Sequence, residues 1–481
     1  MKPSSVLIGI ETEYGLLVEG RGPQDQIQDS ADFVRSYPGY CFIGWDYRFE
    51  SPRADLRGFK LDHLAQDPID AQFDRPGAPV QTSAEIRSDR VLSNGARFYN
   101  DHGHPEYATP ECHSLAQLVA LDHVGETVLR ETAAAFGRPT KVYKNNTDFH
   151  GASYGCHESY LAPRELGFDR LFPAILPMLI CRQILTGAGK VGSESGGWVD
   201  FQISQRADFF AEPANAETLY RRPIFNTRDE AHADPNRFIR LHVISGDANM
   251  NPWSTWLKVG LVRLAVALAA VGESPIWRVA RPVETFRRIS RDRERAYTID
   301  LEGGSHSNAY LVLESYLAAA EKVLDLDQED QHLIQVSREL LTQLEQRLPG
   351  PERKIDWVAK QQLIESALDG EDWRSGYAQS LDLAYCDLDQ EAGLFPALEE
   401  SGAVDPFPFE SPRAEGRARA RAVAVSRFGA ELHTVSWGSL VFAGADLALP
   451  PDLPDDPDLI NLVTKEEFIQ RLISLGAQNR V

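Results

Sequence analysis

Near its start the chain runs Val6-Leu7-Ile8-Gly9-Ile10-Glu11-Thr12-Glu13-Tyr14, a buried apolar strand that turns into an alternating one. With a two-residue period Gly9, Glu11 and Glu13 share one face, and Ile8, Ile10 and Thr12 share the other. Two acids on one face are unusual for a core element. The fold must bury the apolar face and leave the acidic one open to a site or to water. Mg²⁺ takes hard carboxylate oxygens together with nucleotide phosphates, which is one use for such a face; a solvated strand edge is the other.

Further along, Arg97-Phe-Tyr-Asn-Asp101-His-Gly-His-Pro-Glu106-Tyr puts Arg97, Tyr99 and Asp101 on one strand face, then turns at Gly103 and Pro105 to present Glu106. This density of ionisable groups after an apolar strand points to a site. Lys144-Asn-Asn-Thr-Asp148 precedes His157-Glu158. A lone histidine is more often structural than a ligand, and the adjacent acid leaves the two readings balanced. Arg240 and His242 share a strand face opposite Leu241 and Val243. A guanidinium there suits bidentate recognition of phosphate or carboxylate. Gly187-Ala-Gly-Lys190-Val191 imitates a phosphate loop, but Ile184 and Val191 stand where that motif needs glycine and Ser or Thr, so it is rejected. Arg413, Arg417, Arg419 and Arg421 read as a solvated helix face or as a contact for nucleotide or acidic peptide. Trp437 reads as core or as a stacking surface.

The organisation is that of a folded globular protein. The 481 residues can bury a substantial core and suggest a large domain with a smaller one. A helix is expected over His113–Phe136, capped by Ser114 and stopped by Gly137 and Pro139. Thr255–Val271, interrupted by Lys258 and Arg263, reads as a buried helix rather than a membrane span. Helices are also expected near Asn308–Leu324 and Gln331–Leu348. Gln24–Arg90 is rich in Pro, Asp, Gly and Arg, with little periodicity, and reads as a long loop; an insertion is placed at about 38–88. Being polar and turn-rich, it need not hold the core together. A Pro-rich hinge at Asp405–Pro412 separates residues 1–405 from a C-terminal segment, 406–481, with its own helix, strand and helix signals. The net charge of −22 argues against nucleic acid and anionic membranes as partners. Five cysteines without CxxC spacing, and no leader pattern, suggest a reducing cytoplasm.

Taken in order, these fragments resemble the Pup ligase/depupylase family. The resemblance rests on Gly9-Ile-Glu-Thr-Glu-Tyr-Gly15, Asn94-Gly-Ala-Arg97, His104-Pro-Glu-Tyr107, Lys144-Asn-Asn146, Ser204-Gln-Arg206, Asn226-Thr-Arg-Asp-Glu230, Arg240-Leu-His-Val-Ile244, Leu381-Asp-Leu-Ala-Tyr385 and the tryptophan motif at 437. It implies an α+β, glutamine-synthetase-like fold: a curved antiparallel sheet forming a cradle backed by helices, with a small C-terminal α/β domain. It also implies ATP and Mg²⁺ as cofactors. Glu11, Tyr99, Glu106, His157 and His242 match magnesium positions, and Arg97, Thr109, Ser159, Arg240 and Trp437 match nucleotide positions. Asp101 matches the catalytic aspartate, and Arg206 and Arg228 match substrate positions.

Within the family, ligases join Pup's C-terminal glutamate to a lysine through a γ-glutamyl phosphate. Depupylases hydrolyse that isopeptide bond and also deamidate Pup's terminal glutamine. Two features resemble the depupylase branch: the short Asp101-His-Gly-His-Pro-Glu106 spacing, and the Trp45–Phe59 run inside the insertion. The expectation is an ATP- and magnesium-dependent hydrolase acting on Pup or a Pup-like modifier, linked to a bacterial proteasome system. A Pup ligase is the alternative. A non-catalytic binder would not need Glu11, Asp101, Glu106, His157 and His242 together. Ser159 stands where relatives carry Asn, and Asn100 replaces an apolar residue. Because Pup is acidic, a chain of net charge −22 needs a locally basic groove to bind it.

Overall fold

The computed structural model describes residues 1–50, 52–62 and 82–481; the parts of the expected insertion at 51 and 63–81 lie outside the described residues. Its centre is a seven-stranded antiparallel sheet built from β1 (Ile8–Glu13), β2 (Cys41–Phe42), β3 (Arg90–Leu92), β4 (Arg97–Asp101), β5 (His104–Ala108), β6 (Cys156–Pro163) and β7 (Phe238–Gly246). Their order across the sheet is β7-β6-β1-β5-β4-β3-β2. The acidic strand β1 is thus central, flanked by β5 and β6, and its carboxylates cannot be edge decoration.

Alternation sorts the two faces. Ile8, Ile10, Tyr160, Leu241 and Val243 point into the main apolar core with the helices. Helix α2 (Leu115–Ala135) starts at Ser114, whose Oγ accepts from Gln117 N at 3.2 Å, the cap expected from the sequence. Helix α4 (Pro252–Val271) is capped by Asn251 and closed by Gly272 in the left-handed conformation (φ +78°). It is long and apolar enough to cross a membrane, but it is sheathed in protein instead. Its two cations are paired: Lys258 Nζ donates to Asp247 O at 2.6 Å, and Arg263 Nη2 lies 2.6 Å from Asp330 Oδ1. Helix α3 (Gly167–Cys181) packs beside it.

One expectation for the 24–90 stretch is corrected. A helix, α1 (Gln26–Arg35), stands where loop was expected, burying Phe33 and Val34. Phe33 meets Phe98 and Phe136 edge-on, at 6.4 and 5.5 Å. Its apolar stripe is broken in sequence by Asp29, which is itself buried between Arg21 and Arg138. The insertion also contributes to packing. Trp45 is buried in the apolar cluster of the C-terminal segment, and the backbones of Gly44 and Asp46 hydrogen-bond to Val435.

That segment forms a second, four-stranded antiparallel sheet: β8 (Leu432–Ser436), β9 (Ser439–Phe442), β10 (Ala445–Ala448) and β11 (Gln478–Asn479). Helices α5 (Gly416–Phe428) and α6 (Lys465–Ser474) supply Val423, Val425, Phe428 and Phe468 to its apolar cluster.

Candidate active site

Strand register assembles the site from residues far apart in sequence. Glu11 lies opposite His157 on one side and Ala108 on the other. Glu13 lies opposite Glu106, which lies opposite Tyr99. His242 lies opposite Ser159, which lies opposite Gly9. Because every strand alternates with the same period, Arg97, Tyr99, Asp101, Glu106, Glu11, Glu13, His157, Ser159, Arg240 and His242 fall on the one face that the core does not use.

A cavity of about 270 Å³ opens on this face, lined by Glu11, Arg97, Tyr99, Asp101, Glu106, His157, Arg228, Arg240, His242 and Trp437. A smaller and more apolar slot of about 70 Å³ adjoins it, sharing Glu11, His232, Arg240 and Trp437 and adding Gly9, Thr109 and Ser159. Of the residues that the resemblance assigns to metal, nucleotide, substrate or catalysis, Arg206 alone lines neither. It is buried, and its Nε and Nη1 find no hydrogen-bond partner among the described residues.

The charges are tightly organised. Burial opposes ionisation of Glu11, but the nearby His157 and the charge of Arg240 bring its pKa down to about 2. Arg240 Nη1 lies 3.1 Å from Glu11 Oε1 and 3.2 Å from Ser159 Oγ. Glu106 behaves oppositely: burial, with Asp101, Glu11 and Glu13 around it, drives its carboxyl well above the usual range. Tyr99 donates its hydroxyl to Glu106. Burial also opposes ionisation of Asp101, and His102 and Arg87 reverse it, so this carboxylate is held ionised.

Acids this close repel one another, the setting that a divalent cation relieves. Glu11, His157 and His242 bring ligand atoms within 4.8 Å of one another, and so do Glu13, Asp101 and Glu106. His242 is buried, and neither ring nitrogen has a hydrogen-bond partner among the described residues. Burial, then Arg240 and His157, hold its pKa well below the ordinary value, leaving the neutral imidazole that a metal ligand requires. The all-oxygen trio fits Mg²⁺ directly. The trio with two imidazoles is a softer set, which fits an ion shared with phosphate oxygens.

Comparison with known proteins places this geometry. The Pup-ligase protein family matches residues 6–441. The chain belongs to the Pup ligase family. A depupylase of Acidothermus cellulolyticus is 35% identical over 489 aligned residues, covering 96% of this chain and 93% of that protein. A Pup–protein ligase of Acidimicrobium ferrooxidans is 39% identical over 421, covering 81% and 90%. Among solved structures, the complex between Pup and its ligase PafA superposes with a TM-score of 0.75 at 25% identity, covering 98% of this chain and 92% of that one. PafA in complex with ADP gives 0.69 at 27% identity, covering 87% and 95%. The fold is therefore the glutamine-synthetase-like α+β fold of this family.

Several residues of this Pup ligase family site were not assigned from the sequence. Asp89 holds Arg97, with Nε donating to Oδ1 at 2.7 Å, and Glu50 Oε1 lies 3.6 Å from Arg97 Nη1. The signal was present: Asn94-Gly95 is a hairpin turn between β3 and β4, and it folds Asp89 back beside Arg97. Arg87 and Tyr47 line the same cavity from the segment read as an insertion. Glu158, next to His157, points to the opposite face, where it forms a buried pair with Arg182 at 2.6 Å. Arg417 and Arg421 are not a solvated helix face: both are buried and paired with Glu111, and Arg417 lines the smaller slot.

Proposed function

We propose that this chain is a nucleotide- and magnesium-dependent amide hydrolase that cleaves the isopeptide bond between Pup, or a Pup-like modifier, and target lysines, and deamidates the modifier's C-terminal glutamine. The observation that carries the reading is the Asp101 carboxylate, held ionised by His102 and Arg87 at the cavity wall, among groups that accommodate phosphate and a divalent cation. The relative named depupylase aligns with 96% of the chain at 35% identity and the relative named ligase with 81% at 39%, so the choice of hydrolysis rests on the short Asp101–Glu106 spacing and the Trp45–Phe59 run.

In this reading Glu11, Glu106, Tyr99, His157 and His242 would hold magnesium, and Arg97 and Arg240 would bind the nucleotide phosphates. Thr109, Ser159 and Trp437 would wall the slot for the base. Magnesium, when bound, neutralises phosphate charge and polarises oxygens on this face. Asp101 acts on the amide carbonyl as nucleophile, or on water as general base. Arg228 at the cavity wall would supply positive charge for the carboxylates of an acidic modifier, while Arg206, buried behind the face, would add to the local field without contacting it.

The deciding experiment incubates the protein, ATP and Mg²⁺ with a Pup–protein conjugate, and in parallel with free Pup and a target. Disappearance of conjugate is expected. Formation of conjugate in the second mixture, with none lost in the first, would assign the ligase reaction instead.

A further inference from the structure

Glu111 connects the two sheets at the slot. It lies two residues beyond Thr109, lines the small cavity, and accepts from two arginines of α5. Arg421 Nη2 donates to its Oε2 at 2.6 Å, and Arg417 Nε donates to its Oε1. Arg421 then reaches three further groups. Its Nε donates to Gly95 O and its Nη1 to Trp437 O, each at 2.9 Å, and its guanidinium sits 4.8 Å from the Trp437 ring centroid. Arg417 Nη1 donates to His232 O at 2.8 Å.

Trp437 stands in the turn between β8 and β9 and, among the described residues, is the one part of the second sheet that reaches both cavities, as Arg240 does from the first; Gly9 and Ser159 line the small slot beside it. Its indole packs partly against the apolar cluster of the C-terminal segment. It also meets the Arg421 guanidinium and, edge-on at 5.2 Å, the Trp45 ring. Arg421 in turn depends on Glu111, because a fully buried guanidinium deprived of its carboxylate is strongly destabilised.

We infer that Glu111 is a positioning residue for nucleotide: by anchoring Arg421 it sets Trp437 as a wall of the base slot, so that the C-terminal segment contributes to nucleotide affinity through one carboxylate of the loop that follows β5. This rests on the nucleotide reading above and on no other part of the proposed reaction. A positioning role predicts that Glu111 and Trp437 act as one unit. A purely structural role predicts lower stability without that coupling.

The test measures Mg-ATP affinity of the full chain by calorimetry for wild type, Glu111→Gln, Trp437→Ala and the double variant, with thermal unfolding in parallel. Glu111→Gln should weaken binding about tenfold while the turnover at saturating nucleotide changes less than twofold. The double variant should bind no more weakly than Trp437→Ala alone. Multiplicative losses would show that Glu111 acts independently of Trp437, and unchanged affinity in Glu111→Gln would overturn the proposal outright. If Glu111→Gln loses its cooperative transition, Arg421→Lys takes its place. It keeps the charge opposite Glu111 and removes the planar group over Trp437, so it should weaken binding similarly; wild-type affinity in it overturns the proposal. A wild-type chain that binds no nucleotide removes the nucleotide reading and this inference with it, whereas nucleotide binding with no Glu111–Trp437 coupling removes the inference alone.

Discussion

His102 Nδ1 lies 2.8 Å from Asp101 Oδ2, and the two residues are neighbours at the tip of the β4–β5 hairpin. Asp101 pairs with His104, leaving His102 and Gly103 as a two-residue loop with φ of +48° and +90°. Positive φ at both positions is what a type I′ hairpin turn requires. The left-handed backbone at His102 swings its imidazole back onto the preceding carboxylate. The aspartate proposed for chemistry is thus oriented by its own turn, and an added residue in the Asp101–Glu106 spacing would alter that turn.

Asp101→Asn keeps the size of the side chain and removes its charge. Conjugate cleavage should fall by at least about 10³-fold, while nucleotide affinity and melting temperature stay close to wild type. Single-turnover cleavage assays with calorimetry on the same sample check this. Retention of most of the turnover would falsify the assignment and shift the chemistry to another carboxylate.

Nucleotide and magnesium should bind as a coupled pair, because the acids proposed for metal and the arginines proposed for phosphate interlock: Arg240 already bonds Glu11 at 3.1 Å. Glu11→Gln should reduce metal-dependent ATP affinity about 10- to 100-fold. In excess chelator, wild type and variant should converge on the same weak affinity. A chelator without effect on wild type would remove magnesium from the site.

The open face was legible in sequence because strands alternate with period two. Glu11 with Glu13, Arg97 with Tyr99 and Asp101, and Arg240 with His242 each declare a shared face locally. What no local pattern carries is register between distant strands. That Glu13 opposes Glu106, and Glu11 opposes His157, is decided by tertiary packing. The same holds for buried charge. Arg417 and Arg421 look like a solvated stripe until Glu111, some 300 residues earlier, is brought against them. Helix α1 was hidden because its buried Asp29 reads as a surface residue.

Trp45 tests whether the insertion is accessory or structural. It is buried in the C-terminal apolar cluster, its ring lies 4.0 Å from the Arg97 guanidinium carbon, and it meets Trp437 edge-on. Trp45→Ala should therefore cost about 3–5 kcal/mol of stability, as deletion of a buried aromatic does elsewhere. Urea unfolding measures it directly. A cost below about 1 kcal/mol would restore the view that this segment only modulates activity.

Acid should unfold the chain partly through Glu126. Lys144 Nζ lies 2.7 Å from its Oε1, and His123 Nδ1 3.1 Å from its Oε2. Burial opposes ionisation, but Lys144 and then His123 outweigh it and bring the pKa down to about 2 from the ordinary 4.5. A carboxyl whose folded pKa lies below its unfolded one stabilises the fold fully above the unfolded value and loses that contribution as pH falls toward the folded one. The window is thus pH 4.5 down to about 2. The contribution at neutral pH is on the order of 3 kcal/mol, since the side chain is largely shielded from solvent. Glu126→Gln removes the titration while Asp122 still holds Lys144 at 2.8 Å. Unfolding free energies of the two proteins should differ most near pH 6 and converge as the pH is lowered through this window. A difference that stayed constant with pH would mean that Glu126 stabilises through packing rather than charge.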